Sequence, residues 1–294
     1  MDFSNISMSN LSGQVLLGLL NGGFYALLSL GLSVIFGLLR VINFAHGALY
    51  ALGAYLTWML LNYLGLGYWW AFLLVPILVG LISIVIERLL IAPLAEFDHL
   101  YGLLVTFGIA MVIQGGFQIA YGSAGIPYRV PAELTGGLRL SFMFVPYYRL
   151  WVLLVAIVAC LTVWLAIEKT RLGAYLRAAT ENPNLVGAFG INVPFLVTLT
   201  YGLGAAMAGL AGVLAAPMYA VNPNMGVDLL IVVFAVVVVG GMSSILGAVV
   251  TGFALGLFEA LTKMVYPEAA NLVIFIIMIA VLIFRPFGLF GRQP

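Results

Sequence analysis

The chain has 294 residues, of which 64% are hydrophobic and only 7% charged, with a mean hydropathy of +1.20. Soluble domains carry roughly a quarter charged residues, so no water-soluble core could hide this much apolar surface and the solvent of the fold is lipid. A net charge of +1 leaves no broad basic field and argues against nucleic acid as a partner. The single cysteine, Cys160 in an apolar run, rules out an intramolecular disulfide and argues against a thiolate metal cluster.

Residues 1–10 hold Asp2 and no Lys or Arg before the apolar run 15–20, unlike a cleavable signal peptide, so the first helix is predicted to stay in the protein. A bilayer-spanning helix needs about 20 mostly apolar residues, because only a helix satisfies its backbone internally in hydrocarbon. By that measure the spans are 11–38, 41–64, 69–91, 100–121, 149–167, 195–219, 229–239, 245–265 and 272–284. The predicted fold class is all-α, a polytopic membrane protein of about 8–9 transmembrane helices.

Lys and Arg of short loops stay on the cytoplasmic side. With 168–192 inside, alternation puts Arg40, Arg88, Lys169, Arg171, Arg177, Arg285 and Arg292 inside. Arg129, Arg139, Arg149 and Lys263 then fall outside, which accounts for all 11. The N-terminus is predicted outside and the C-terminus inside.

Two loops are long. The outer one, 122–148, holds Gly125, Pro127, Pro131, Gly136, Gly137 and Pro146, and reads as an irregular surface able to meet an extracytoplasmic partner. The inner one, 168–192, offers a helix start at Asn182-Pro183, a capping residue before a proline, with Gly190 as its stop. Leu185, Val186 and Phe189 then share one face of a short amphipathic helix. Lying on the membrane surface and docking on another protein are equal readings on this ground.

Segment 229–239 reaches only about 16 Å at roughly 1.5 Å per residue, against a hydrocarbon core of about 30 Å. Gly240, Gly241, Ser243 and Ser244 then interrupt the apolar run. This is either a broken or re-entrant functional element, of the kind transporters place near substrate, or a helix kinked by glycine.

Polar stripes run through the spans. Asn21, Tyr25, Ser29 and Ser33 recur every four residues in the first. Asn43, His46, Tyr50 and Thr57 share a face of the second, among Gly47, Ala51, Gly53 and Ala54, which suit close packing. Gln114 and Gln118 are one turn apart in the fourth with Thr106 before them, and Ser244, Ala248, Thr251, Gly252 and Gly256 make a small-residue face in the eighth; these spans are expected to meet. Singly such residues are interhelical glue, about 0.6 kcal/mol each. Together they line a route for a neutral solute, with Asn21, Tyr25, Ser29, Asn43, His46, Tyr50, Gln114, Gln118, Gly240, Gly241 and Ser244 as the candidate pathway residues.

Glu259 and Lys263 stand four apart with the acid first, the order of a helix ion pair. Asp228 is read as the cap of the helix after Asn222-Pro-Asn224. His46 has no intramembrane histidine beside it, His99 being read in a loop, so no metal site is expected. There is no GxxxxGK[ST] loop and no nucleophile placed beside a base, so no catalytic residue is assigned and any ATPase is another chain.

The segments Asn21-Gly-Gly-Phe-Tyr25-Ala, Gly37-Leu-Leu-Arg40-Val-Ile-Asn43-Phe-Ala-His46-Gly47, Leu52-Gly-Ala-Tyr55, Thr170-Arg-Leu-Gly173, Arg177-Ala-Ala-Thr-Glu181-Asn-Pro183, Gly190-Ile191 and Val239-Gly240-Gly241-Met-Ser-Ser244-Ile-Leu-Gly247 together resemble the LivH-type permeases of branched-chain amino acid ABC transporters. The matches run from residue 21 to residue 256, nearly the whole chain, and the asparagine–histidine stretch is the most specific.

The resemblance implies one permease domain over 1–294 in a bacterial inner membrane, with the N-terminus periplasmic and the C-terminus cytoplasmic. It implies as partners a second, LivM-like permease subunit, two cytoplasmic ATP-binding subunits and a periplasmic amino-acid-binding protein. ATP and Mg belong to the ATPases, with no cofactor in this chain. It makes 177–191 the coupling segment, with Arg177, Glu181, Asn182, Pro183, Leu185, Val186 and Phe189 as its residues, and alternating access the mechanism. Leucine, isoleucine and valine are the default solutes; urea, short amides and other neutral amino acids stay open, because the binding protein selects. The competing reading, an ion-coupled secondary transporter, needs an intramembrane group poised to titrate, and the paired Glu259 is the one acid read well inside a span.

Overall fold

Residues 8–39, 43–94 and 97–291 are described by the structure, a computed structural model. Among them the chain forms α1 (Met8–Leu39), α2 (Ala45–Leu64), α3 (Tyr68–Ile86), α4 (His99–Tyr121), a hairpin of β1 (Gly137–Arg139) and β2 (Phe144–Pro146), α5 (Tyr147–Glu168), α6 (Arg171–Glu181), α7 (Pro183–Ala188), α8 (Val193–Ala215), α9 (Met225–Gly240), α10 (Ile245–Val265) and α11 (Ala270–Phe284). α3 continues through a π-helical turn, Glu87–Ile91, and a 3-10 turn, Ala92–Leu94.

Among the described residues, six stretches are long and apolar enough to cross a bilayer: Met8–Gly37, Tyr68–Leu94, Leu100–Tyr121, Tyr147–Glu168, Val193–Ala215 and Ile245–Val265. α9 and α11 are shorter apolar helices. α2 has 20 residues, but His46, Thr57 and Asn62 lower its hydropathy; most of the helix is buried in protein, where lipid does not dictate its composition. The chain is a polytopic all-α membrane protein.

The predicted spans return as helices, with revealing shifts at their ends. α8 stops at Ala215, short of the predicted 219: Ala216 N–H still donates to Gly212 O at 3.0 Å, but Pro217 has no N–H with which to continue the ladder. α9 starts at Met225 and not 229: Asn222 Oδ1 accepts from Asn224 N–H at 3.0 Å, a turn that opens the helix early. Asp228 therefore lies within the first turn, where its charge complements the helix dipole, and does not begin the helix. His99 is the first residue of α4, capped by Asp98, which accepts from Leu100 N–H at 2.9 Å. The predicted start of the second span at 41, the placements of Arg40 and Arg292, and the reading of Asp2 fall outside the described residues.

The helices form two compact units. One comprises Met1–Leu30, Val130–Leu161 and Val232–Pro294. In it the small-residue face of α10 lies on α1: a Cβ at Gly252 would come within 2.6 Å of the Ala26 backbone, and Gly256 abuts Gly22. Gly18 meets Leu257, so the helices run antiparallel. Ala235 and Val236 of α9, Leu255 and Ile274 form the apolar core beside them.

The other unit comprises Gly31–Arg129 and Thr162–Ile231, with α8 packed on α2 and α3. A Cβ at Gly53 would lie 2.6 Å from the Gly209 carbonyl oxygen, so the two backbones touch. Contacts Asn43–Tyr201 and Gly53–Gly209 advance together, making α2 and α8 parallel. Glu87–Thr198 and Val79–Gly209 advance oppositely, making α3 antiparallel to α8.

Candidate functional site

The most distinctive motif of the sequence organises the start of α2. Asn43, 2% exposed, accepts from Ala45 N–H through Oδ1 at 3.1 Å and donates through Nδ2 to the Tyr201 hydroxyl of α8 at 3.1 Å. The next amide, Phe44 N–H, donates to Thr106 Oγ1 of α4 at 3.3 Å. One short segment thus caps its own helix and ties it to two neighbours. His46, Tyr50 and Thr57, further along this face, are all buried.

The first turn of α9 lies against this helix start. Gly47 and Gly226 are so close that a Cβ on either would run into the other's carbonyl. Two helix N-termini, each the positive end of its dipole, thus meet, with the amides at the start of α2 held by Asn43 and Thr106 and those at the start of α9 by Asn222 and Asn224. Beside them Gln114 Nε2 of α4 donates to Asn224 Oδ1 at 2.6 Å, while Gln118, one turn on, is exposed. Asn224 was not among the pathway candidates drawn from the sequence, where it stood only as the residue before the helix assigned to Asp228.

In the other unit the break after α9 is real, not a kink. α9 ends at Gly240, Gly241 adopts φ +102°, and α10 begins at Ile245, with Ser244 Oγ accepting from Gly247 N–H at 3.0 Å as its cap. The carbonyls that α9 leaves open are filled by the tail after α11: Leu289 N–H donates to Val239 O at 2.8 Å and Phe290 N–H to Gly240 O at 3.1 Å. This close seat needs glycine on both sides, since a Cβ at Gly288 would stand 2.6 Å from the Gly241 backbone. Freed backbone groups are met by protein, as a break in an apolar setting requires.

Also in this unit, Asn21 and Tyr25 are half-buried and Ser29 is fully buried, its Oγ donating to Val233 O at 3.4 Å. The Tyr25 hydroxyl donates to Glu259 Oε2 at 2.7 Å, and Lys263 Nζ to Glu259 Oε1 at 2.6 Å, the predicted ion pair with an added partner. The pathway candidates are therefore divided: Asn43, His46, Tyr50, Gln114 and Gln118 belong to one unit, Asn21, Tyr25, Ser29, Gly240, Gly241 and Ser244 to the other. Among the described residues, no three His, Cys, Asp or Glu side chains converge.

The charged loop 168–192 is more ordered than its sequence suggested. It holds two helices: α6, whose Gly173, Leu176 and Ala179 are buried while Arg171 and Arg177 point away, and α7. Asn182 caps α7, accepting from Leu185 N–H at 3.0 Å, and Gly190 follows at φ +81°. Arg177 pairs with Glu168 at 3.6 Å, and Glu181 is exposed at the end of α6. The predicted single face does not hold: Val186 is turned inward at 6%, whereas Leu185 and Phe189 are 55% and 77% exposed, because α7 is too short to carry Phe189 round with it.

Glu259 is not the one acid inside a span. Glu87, 1% exposed in Tyr68–Leu94, accepts through Oε2 from the Thr198 hydroxyl at 2.8 Å; that hydroxyl also lies 3.0 Å from Pro194 O. Its position two residues after Val85 and before Arg88 made it look like the polar end of a helix. In the long loop between α4 and α5, Tyr128 is buried beside Tyr68, and burial pushes its phenol up to about 12.

Fold and polar elements define the class as a multi-pass membrane protein with an interrupted helix hairpin and a pair of short helices outside its spans. The chain belongs to the family described as branched-chain amino acid transport system / permease component, whose model matches residues 14–282. It is 32% identical to the high-affinity branched-chain amino acid transport system permease protein BraD of Pseudomonas aeruginosa over 95% of both chains. It is 31% identical to LivH of Escherichia coli, again over 95% of both. LivM of Salmonella typhimurium is 28% identical, over 90% of this chain and 67% of that one. No solved structure matches.

Proposed function

We propose that this chain is one permease subunit of an ATP-driven importer that moves leucine, isoleucine and valine across a bacterial inner membrane by alternating access. The observation that carries the reading is full-length similarity to BraD and LivH, whose names give that solute class. The partners are a second permease of the LivM kind, two cytoplasmic ATPases and a periplasmic binding protein. ATP and Mg are held by the ATPases, and this chain holds no cofactor.

The helix directions support the topology. Parallel α2 and α8 with antiparallel α3 fit strict alternation of crossings, and the distribution of Lys and Arg then puts the N-terminus in the periplasm and the C-terminus in the cytoplasm. An N-terminal tag accessible only from the cytoplasm would reject that orientation.

α6 and α7 are the coupling element. Leu185 and Phe189 stand out as exposed apolar side chains beside Arg177 and Glu181, the form of a knob that seats in a groove on a partner. Movement of the ATPases enters there and rearranges the helices that carry the polar stripes. Scrambling 183–189 tests this: membrane insertion is kept, while ATP-dependent leucine uptake is lost. Normal uptake by the scrambled protein would rule the coupling role out.

A further inference from the structure

A charge inside a membrane span is costly and is held there by partners that commonly serve function. Glu87 is such a group, and its side-chain partner, Thr198, ties α3 to the first turns of α8. Glu87 also opens the π-helical turn Glu87–Ile91, in which Ala92 N–H reaches back to the Glu87 carbonyl. Single π turns insert a residue into an α-helix and recur at functional positions. Here the wider turn keeps Ser83, Glu87 and Ile91, each four residues apart, all buried.

Thr198 stands where α8 emerges from α7. Residues 189–192 alone separate these helices, and both ends of the connection are fixed, by Gly190 at φ +81° and by Asn192, which accepts from Phe195 N–H at 3.0 Å. A displacement of α7 is therefore delivered to the start of α8. One turn on, Tyr201 meets Asn43, so α8 carries two successive polar ties, Thr198 to α3 and Tyr201 to α2. The apolar seam between α3 and α8 can slide, but a directional bond to a carboxylate cannot slide without breaking.

We propose that Glu87 is a positioning residue of transport: its bond to Thr198 locks α3 to α8, so that movement entering at α7 is passed to α3 and is not absorbed within α8. This rests on the reading of the chain as an ATPase-coupled permease.

The test uses the complete transporter in proteoliposomes and measures assembly, ATP hydrolysis and leucine uptake for Glu87→Gln, Glu87→Leu and Thr198→Val. Gln keeps an acceptor for the threonine hydroxyl, whereas the Leu and Val variants lose the bond. The Gln variant retains uptake near wild type. The Leu and Val variants assemble and hydrolyse ATP but lose uptake about tenfold, within the usual span of coupling between sites, so leucine imported per ATP falls. If Glu87→Leu fails to assemble, Thr198→Val, which exchanges a hydroxyl for a methyl, decides on the same readings. Unchanged leucine per ATP in Thr198→Val, or uptake and hydrolysis falling in step, overturns the proposal. A wild-type complex that transports beside fully coupled variants rejects the relay alone; a wild-type complex with no ATP-driven uptake rejects the reading beneath it as well.

Discussion

Tyr25 of α1 donates its hydroxyl to the Glu259 carboxylate of α10 at 2.7 Å, on the oxygen that Lys263 leaves free. The carboxylate is nearly enclosed, with its side chain 5% exposed, while the lysine is 47% exposed. Tyr25→Phe removes a bond to a charged acceptor and should lower stability in detergent by about 2 kcal/mol. Lys263→Met should cost less, about 1 kcal/mol, because water screens the exposed partner. Adding Glu259→Gln to Lys263→Met should recover part of that loss. Melting curves of the purified protein measure all three; a Tyr25→Phe protein melting with wild type would show that the hydroxyl has no structural weight.

The contact between α2 and α8 gives a sharper contrast. Gly53→Val places a branched side chain where even a Cβ would lie 2.6 Å from the Gly209 carbonyl, whereas Gly116→Ala adds a methyl with nothing within 4 Å. The first should sharply reduce the yield of monodisperse protein, and the second should leave it unchanged. Size-exclusion profiles of the two variants from matched cultures check this.

At the cap of α2, Asn43→Leu loses both the bond to Tyr201 and the capping of Ala45. A cost of about 1–2 kcal/mol follows from the cap alone. Tyr201→Phe loses only the first bond and should cost less, a ranking that thermal melts read directly.

Ending the chain at Pro286 removes the amides that fill Val239 O and Gly240 O. Each buried carbonyl left open costs about 1–3 kcal/mol. Cleavage by added protease between α9 and α10 should therefore be faster in the truncated protein than in wild type. Gly288→Ala, at φ +79° against the Gly241 backbone, should act in the same direction.

The sequence carried most of the helices because lipid imposes both a length and an apolar composition on each of them. It carried the α1–α10 contact as well, since Gly252 and Gly256 announce close packing on their own helix. It missed what depends on distant chain. α6 was hidden because Arg171, Arg177 and Glu181 read as a charged loop until Leu176 and Ala179 find a surface to cover. The tail was hidden because nothing in Arg285–Pro286–Phe287 says that the next amides complete a helix some fifty residues earlier. Glu87 was hidden because a carboxylate at a helix end is ordinarily solvated, and only the hydroxyl of Thr198 on another helix shows that it is not. Among the candidate pathway residues, Asn43 and Tyr25 were legible as polar groups in apolar helices, but their partners were not.

The most direct measurement is uptake of labelled leucine into proteoliposomes holding this chain alone, or together with its second permease, ATPases and binding protein, with and without ATP. The assembled system should import leucine only when ATP is supplied, and the lone chain should import none. Leucine accumulation by the lone chain under a proton or sodium gradient would contradict the account.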